Sequence, residues 1–380
     1  MAVLLATGLS ANAQTDKVHL GVIYPVSTHG THAPLDTNNF SFHALAGVSA
    51  EERGLAFAGL SLVVKNNVKG VAFAGFSNHI GNAVDGVLFA GFVNTYAIGK
   101  GMQFAGFSNI AVADAEGAQF SGFLNTSANL NGTQLAGFGN VAKNVKGAQF
   151  SGFFNVAKEV KGSQFAGFSN VSTGIIKGHQ LAGFANIAEE VDGSQIAGFI
   201  NVAKKVRGIQ LAGFINIADS SDCPIGIINL IKNGEKSIGI SYDETQTTLL
   251  SFRSGGKKLY GIIGGGYNLK NDDAVVAFEA GFGAHFFSSR YFRINTELAG
   301  ITLEDFKRGE YFKSSFRLLP SVRISKTIEL YGGASLNFIS TNTSEGKALV
   351  SNYFWENKNR WSTNFNAFHI GYSAGLNFNF

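Results

Sequence analysis

The sequence predicts an all-β chain, a repeat β-solenoid followed by an antiparallel β-barrel-like domain. Three observations carry this expectation. A nine-residue phrase (Gly, a variable residue, Gln, a large apolar residue, a small residue, Gly-Phe, a variable residue, Asn) recurs from Gly70 onward. The 380 residues include 48 Gly and 35 Phe but only 4 Pro, and charged residues are 15%, well below the usual quarter. Beyond Ser237 the pattern changes to long segments that alternate apolar and polar.

The N-terminal residues 2–9 are apolar, and Ala11-Asn12-Ala13 precedes Gln14. This is the pattern of a secretory signal with an A-x-A cleavage site, although the positive n-region is missing. A signal peptide is therefore expected over 1–13, with export across the inner membrane. Over 14–69 two strands are expected, at 17–25 and 39–48, together with a degenerate repeat unit from Gly54 to Lys69 that caps the stack. Repeat arrays need atypical terminal units to hide their edges. The loop between the two strands holds His29 and His32. Two histidines three apart, with no third ligand nearby, read as a solvated loop rather than a metal site.

The repeat region spans 70–234. The Gly of the Gly-Phe pair falls at 75, 91, 106, 122, 137, 152, 167, 183, 198 and 213, in steps of 15 or 16 residues. Such a unit is too short for a helix pair and fits one solenoid turn of two or three short strands. In register, each residue sits on its own copy about 4.8 Å away. The Phe of each pair (Phe76, Phe92, Phe107 and onward to Phe214) should then bury its ring in a stack, worth about 2 kcal/mol per ring. A second apolar ladder is expected three residues earlier, from Phe73 to Leu211. Asn at 78, 94, 109, 125, 140, 155, 170, 186, 201 and 216 should stack inward in a hydrogen-bonded ladder, because an unpaired inward amide costs about 1–3 kcal/mol. Gln occupies its slot eight times, from Gln103 to Gln210, and is expected to form a ladder on the outer face. The competing geometry is an antiparallel meander or barrel with one strand per repeat. The spacers lack the two-repeat rhythm of short and long turns in such barrels, and the two apolar columns would fall on opposite strand faces. The solenoid is favoured.

Over 235–380 six strands are expected near 258–269, 275–287, 291–303, 311–324, 327–340 and 365–380. Shorter ones at 237–242 and 247–253 would complete eight, the smallest common barrel. Val276, Phe278, Ala280, Phe282, Ala284 and Phe286 alternate with Glu279, Gly281, Gly283 and His285. Apolar-out, polar-in segments of about ten residues mark transmembrane β-strands. The turns at Ser288-Ser-Arg290 and Ser325-Lys326 are tight, whereas the last loop, 341–364, carries Trp355, Lys358, Arg360 and Trp361.

The recurring Val-Lys-Gly-x-Gln-Phe-x-Gly-Phe-x-Asn unit resembles the surface-repeat proteins of Gram-negative bacteria, common in Bacteroidota. So do the junction Pro224-Ile-Gly-Ile-Ile-Asn-Leu-Ile-Lys-Asn-Gly234 and the segment Ser251-Phe-Arg-Ser-Gly-Gly-Lys-Lys-Leu-Tyr260. The family's usual repeat has Leu where this chain has Phe in the Gly-Phe column. The resemblance implies an outer-membrane or surface location and carries no assigned reaction.

No catalytic, cofactor-binding or metal-ligating residues are assigned. Gly264-Gly-Gly266 and Gly281-x-Gly283 lack the strand–turn–helix setting of a phosphate loop, and the repeats lack the Asp of calcium-binding nonapeptides. Glu279, Glu297 and His285 lie on inward barrel faces, where polar groups fill a lumen. Cys223 is the only cysteine, which excludes disulfides within the chain. The net charge is +4 without a basic stripe, so nucleic acid is not an expected partner. The expected role is a non-enzymatic scaffold or binding protein of the outer membrane or cell surface, with the periplasm as a further setting for the repeats. Its partners would be outer-membrane lipid and protein or glycan ligands. The alternative is a transport pore in which repeats and C-terminal strands close into one large barrel.

Overall fold

A typical repeat folds as a long strand followed by a short one, whereas Leu124–Ala136 and Gly139–Ser151 each run through as one strand, and successive copies pair in parallel. Glu159–Ala166 and Ser169–Ser172 are one such coil. The register is that of a residue on its own copy: Asn125 pairs with Asn140, Gly132 with Gly147 and Gln134 with Gln149. The computed structural model describes residues 17–271, 275–306, 310–357 and 364–380. The segment read as a signal peptide, 1–13, lies outside them, as do Lys358, Arg360 and Trp361.

The chain divides into two compact units. The first holds residues up to Gly183 together with Ile187–Glu189, and the second holds Phe184–Asn186 and Glu190–Phe380. In the first unit the N-terminal strand Val18–Ile23 pairs in parallel with Thr37–Ser49, and that strand pairs in parallel with Glu51–Ala58 and Ser61–Val64. The parallel ladder thus begins N-terminal to Gly70. His32 sits in a short 3-10 helix, Gly30–Leu35.

The long strand of a coil bends at its central glycine. Gly162 has φ 139°, a conformation that L side chains rarely adopt. A Cβ there would stand 1.9 Å from the carbonyl oxygen of Gly147. The bend lets one strand follow two directions around the coil and brings both segments' alternate residues inward.

What lies inside differs from the expectation in one respect and agrees in another. The Asn column is fully buried, as expected, and Asn140 Nδ2 donates to Asn155 Oδ1 at 2.9 Å while Asn155 Nδ2 donates to Asn170 Oδ1 at 2.9 Å. The Gln column, expected on the outer face, is also buried: Gln149, Gln164 and Gln180 are 0% exposed. Gln149 Nε2 donates to Gln134 Oε1 and Gln164 Nε2 to Gln149 Oε1, both at 2.8 Å. Val145, Val160 and small residues such as Ala157 and Ala166 complete the interior. The Phe of the Gly-Phe pair does not bury its ring. Phe153 is 42% exposed, and the stacked ladder it belongs to runs along the outside. The reason is the corner glycine. In Gln149-Phe-Ser-Gly-Phe-Phe-Asn155 strict alternation holds from Gln149 to Ser151, Gly152 and Phe153 turn the corner, and alternation restarts with Phe154 outward and Asn155 inward. Residues three apart therefore both face out, which a straight strand cannot do.

The second unit contains the last coils and a closed antiparallel barrel. Its eight strands are Lys236–Asp243, Thr247–Gly255, Leu259–Asn268, Val276–Phe286, Phe292–Glu304, Tyr311–Arg323, Ile328–Thr341 and Phe365–Asn379. Ile240 pairs with Leu376 and Leu330 also pairs with Leu376, so the last strand joins the first and the ring closes. Repeat strands and C-terminal strands belong to separate sheets; the single large barrel of the alternative reading is not the fold. The final coil meets the barrel at the tight-turn end, where Asn229 Nδ2 donates to Ser254 O at 3.1 Å. The last loop carries a short helix, Ser344–Ala348, and a short strand, Trp355–Asn357, that pairs with the final barrel strand.

Candidate functional site

The first candidate is the outer aromatic face of the coils. In the first unit Phe76, Phe92, Phe107, Phe123, Phe138, Phe153 and Phe168 form a continuous stack with ring centroids 4.7–5.2 Å apart. Beside it, Phe57, Phe73, Phe89, Phe104 and Phe120 stack in the same way. Glycines form the floor between the columns, leaving shallow recesses of 460 Å³ around Phe89 and Phe104 and 320 Å³ around Phe150 and Phe165. On another edge of the same coils the outward residues are charged, including Lys146 and Lys161. The face can bind by apolar contact and ring stacking. Its repeat distance, about 4.8 Å, matches the strand spacing of a β-sheet.

The barrel inverts the polarity of a soluble domain. Its interior is an ion-pair network. Arg253 Nε donates to Glu297 Oε1 at 2.8 Å, and Arg317 Nη1 donates to Glu279 Oε1 at 2.6 Å and to Glu297 Oε2 at 3.3 Å. Arg293 reaches Glu329, and Lys313 reaches Asp243. Glu279 and Glu297 are 2% exposed. His285, on the same inward face, donates from Nδ1 to Asn295 Oδ1 at 2.7 Å and lies against Arg293. These groups neutralise one another inside the barrel. Nearer the loop end Leu249, Ile301, Leu303, Tyr311, Ile339 and Leu349 pack into an apolar plug. Outside, Phe278, Phe282, Phe312, Phe316, Ile370 and Tyr372 are exposed, which gives the wall an apolar outer surface.

At the N-terminal end His29 stacks on His19 with ring centroids 4.4 Å apart, and His43 meets His19 edge-on at 4.4 Å. His29 Nδ1 lies 3.4 Å from Asp36 Oδ2. Burial, reinforced by His43 and His29, lowers the His19 pKa to about 4. Burial also lowers that of His43. Glu52 accepts hydrogen bonds from Asn38 and Ser41, yet burial raises its pKa. His32 is not part of this cluster. No group of three His, Cys, Asp or Glu is placed to hold a metal among the described residues.

A parallel solenoid with a buried amide core, joined to a closed barrel with a charged core and an apolar wall, is the class of protein these features define. Comparison with family models, with curated proteins and with solved structures returned no match.

Proposed function

We propose that this chain is a non-enzymatic repeat protein of the Gram-negative outer membrane, of the surface-repeat kind common in Bacteroidota. In this reading an N-terminal signal exports it, the barrel anchors it in outer-membrane lipid, and the solenoid is a scaffold that presents its aromatic ladder to protein or glycan ligands. One observation carries the membrane assignment: buried ion pairs inside the barrel and large apolar side chains outside it. In water such a wall would be an aggregation liability; in a bilayer it is what a spanning strand requires. With eight strands, the solenoid junction and the end of the last strand share the tight-turn end. Short turns of such barrels face the periplasm, which supports a periplasmic setting for the repeats.

The test is flotation of the full chain with phosphatidylcholine vesicles, with carbonate extraction of cell envelopes alongside. A membrane barrel floats, resists carbonate and migrates faster unheated than boiled in detergent gels. A monomer that stays in the aqueous phase without detergent would overturn the reading. Protease added to intact cells should spare an epitope in the repeats and cleave it after permeabilisation.

A further inference from the structure

At the tight-turn end of the barrel lies a recess of about 700 Å³ lined by Lys236, Arg290, Tyr291, Arg323 and Lys326. Four cationic side chains face it, with one side-chain carboxylate, Glu235. That carboxylate is already engaged: Arg293 Nη1 donates to it at 2.6 Å, and Arg323 Nη2 lies 3.5 Å away. Arg323 Nε is buried and lies 4.0 Å from Glu329 Oε2, so the barrel's carboxylates hold Arg323 in place while Lys236, Arg290 and Lys326 line the rest of the recess. Lys257 and Lys258 in the neighbouring turn raise the positive charge of this end further. The recess borders the apolar wall. Phe287, Tyr291 and Ile324 are exposed beside it at 82%, 64% and 62%, and aromatic side chains at this level mark the membrane–water boundary of a barrel.

We infer that this recess binds the phosphate of an anionic phospholipid headgroup, with the acyl chains laid on the adjoining wall. The inference rests on the membrane reading above. A cationic pocket alone would suit any small anion. Cations meeting an exposed aromatic and aliphatic border suit a ligand that is anionic at one end and apolar at the other. Arginine supplies planar paired donors to phosphate oxygens, and lysine and arginine at a membrane surface each add to the attraction of anionic lipid.

The experiment uses the full chain folded in zwitterionic detergent and titrated with short-chain phosphatidylglycerol, phosphatidylcholine or inorganic phosphate, followed by native mass spectrometry and calorimetry. The expected result is one saturable phosphatidylglycerol site. It should weaken by roughly thirty-fold in the Arg290→Gln, Lys326→Gln double variant, the product of two cation contacts at an anionic surface. Both residues sit in exposed turns, and an unchanged shift in unheated gel mobility verifies that the variant is folded. Lys347→Gln, in the loop at the other end, should bind as the parent does. Equal binding of the two lipids, or an unaffected double variant, would overturn the site. Phosphate binding as tightly as phosphatidylglycerol would overturn the lipid assignment in favour of a soluble anion. Failure of the membrane reading would show separately, as failure to float with phosphatidylcholine vesicles.

Discussion

Replacing Asn155 by leucine tests what holds the coils together. Asn155 is fully buried. Its Nδ2 donates to Asn170 Oδ1 at 2.9 Å and to Phe165 O at 2.8 Å, and its Oδ1 accepts from Asn140 Nδ2 at 2.9 Å. Leucine removes these three bonds and a longer one from Nδ2 to Gln149 O at 3.4 Å. It strands one N–H of Asn140 and the Oδ1 of Asn170 in an interior that water does not reach. Asn140 keeps its bond to Phe150 O at 2.7 Å, so only one of its hydrogens is orphaned. Two stranded groups at about 1–3 kcal/mol each predict a loss of roughly 2–6 kcal/mol. The comparison is Phe154→Leu one residue earlier. Phe154 is half-buried and meets Phe138 edge-on at 5.2 Å; losing that contact and some area costs about 1–2 kcal/mol. Urea unfolding of the full chain, with hydrogen exchange read over 139–156, measures both. Because a coil contacts only its neighbours, protection should fall first around the substituted coil. Equal shifts for the two variants, or greater loss from Phe154→Leu, would refute the ladder as the main tie between coils.

Gly162→Ala should destabilise the same region by several kcal/mol, since φ 139° and a carbonyl 1.9 Å from the new Cβ leave no room; unchanged urea midpoints would contradict the close approach of adjacent coils. Arg317→Leu leaves Glu279 and Glu297 each short of a partner inside the barrel and should cost about 3–5 kcal/mol, seen as a lower temperature for loss of the fast-migrating form in detergent. The N-terminal coil should lose stability as pH falls from 6.5 towards about 4, because His19 takes up its proton less readily folded than unfolded. Protonation of Glu52, whose pKa burial raises, works against this loss at the acid end. Exchange rates over 18–23 and 37–49, corrected for their intrinsic pH dependence, should rise on acidification and do so less in His19→Gln. Flat protection across that window would remove the histidine cluster as its cause.

Much of the architecture was legible because the repeat is short and exact. A 15- or 16-residue step leaves room for one coil, and identical residues at one position force identical environments, so the Asn column could be placed inside from its chemistry alone. The barrel strands were legible for a different reason. Phe278 and Phe282 alternate with Glu279 and Gly281, and period two survives closure of a sheet. The Phe and Gln columns lie on the sides opposite to those that hydrophobicity suggests. Alternation is broken at Gly152, and no composition rule says on which side of a corner it resumes. The Gln column is inside because its amide can chain to its own copies, as the Asn amide does. The cationic recess was the least legible feature. Lys236, Arg290 and Arg323 are 54 and 33 residues apart in sequence, and only closure of the ring gathers them.

The two buried amide columns point in opposite senses. In each unit asparagine donates to the copy that follows, as Asn140 does to Asn155 and Asn201 to Asn216, whereas glutamine donates to the copy before, as Gln149 does to Gln134 and Gln210 to Gln195. A file of aligned amides reinforces its own bonds by mutual polarisation, but it also accumulates partial charge at its two ends, as the peptide dipoles of a helix do. Two files of opposite sense, side by side in one core, cancel that accumulation while each keeps its internal reinforcement. Coils can therefore be gained or lost by duplication without building up an electrostatic cost at the ends, and a mutation reversing one file would be felt along the length of both.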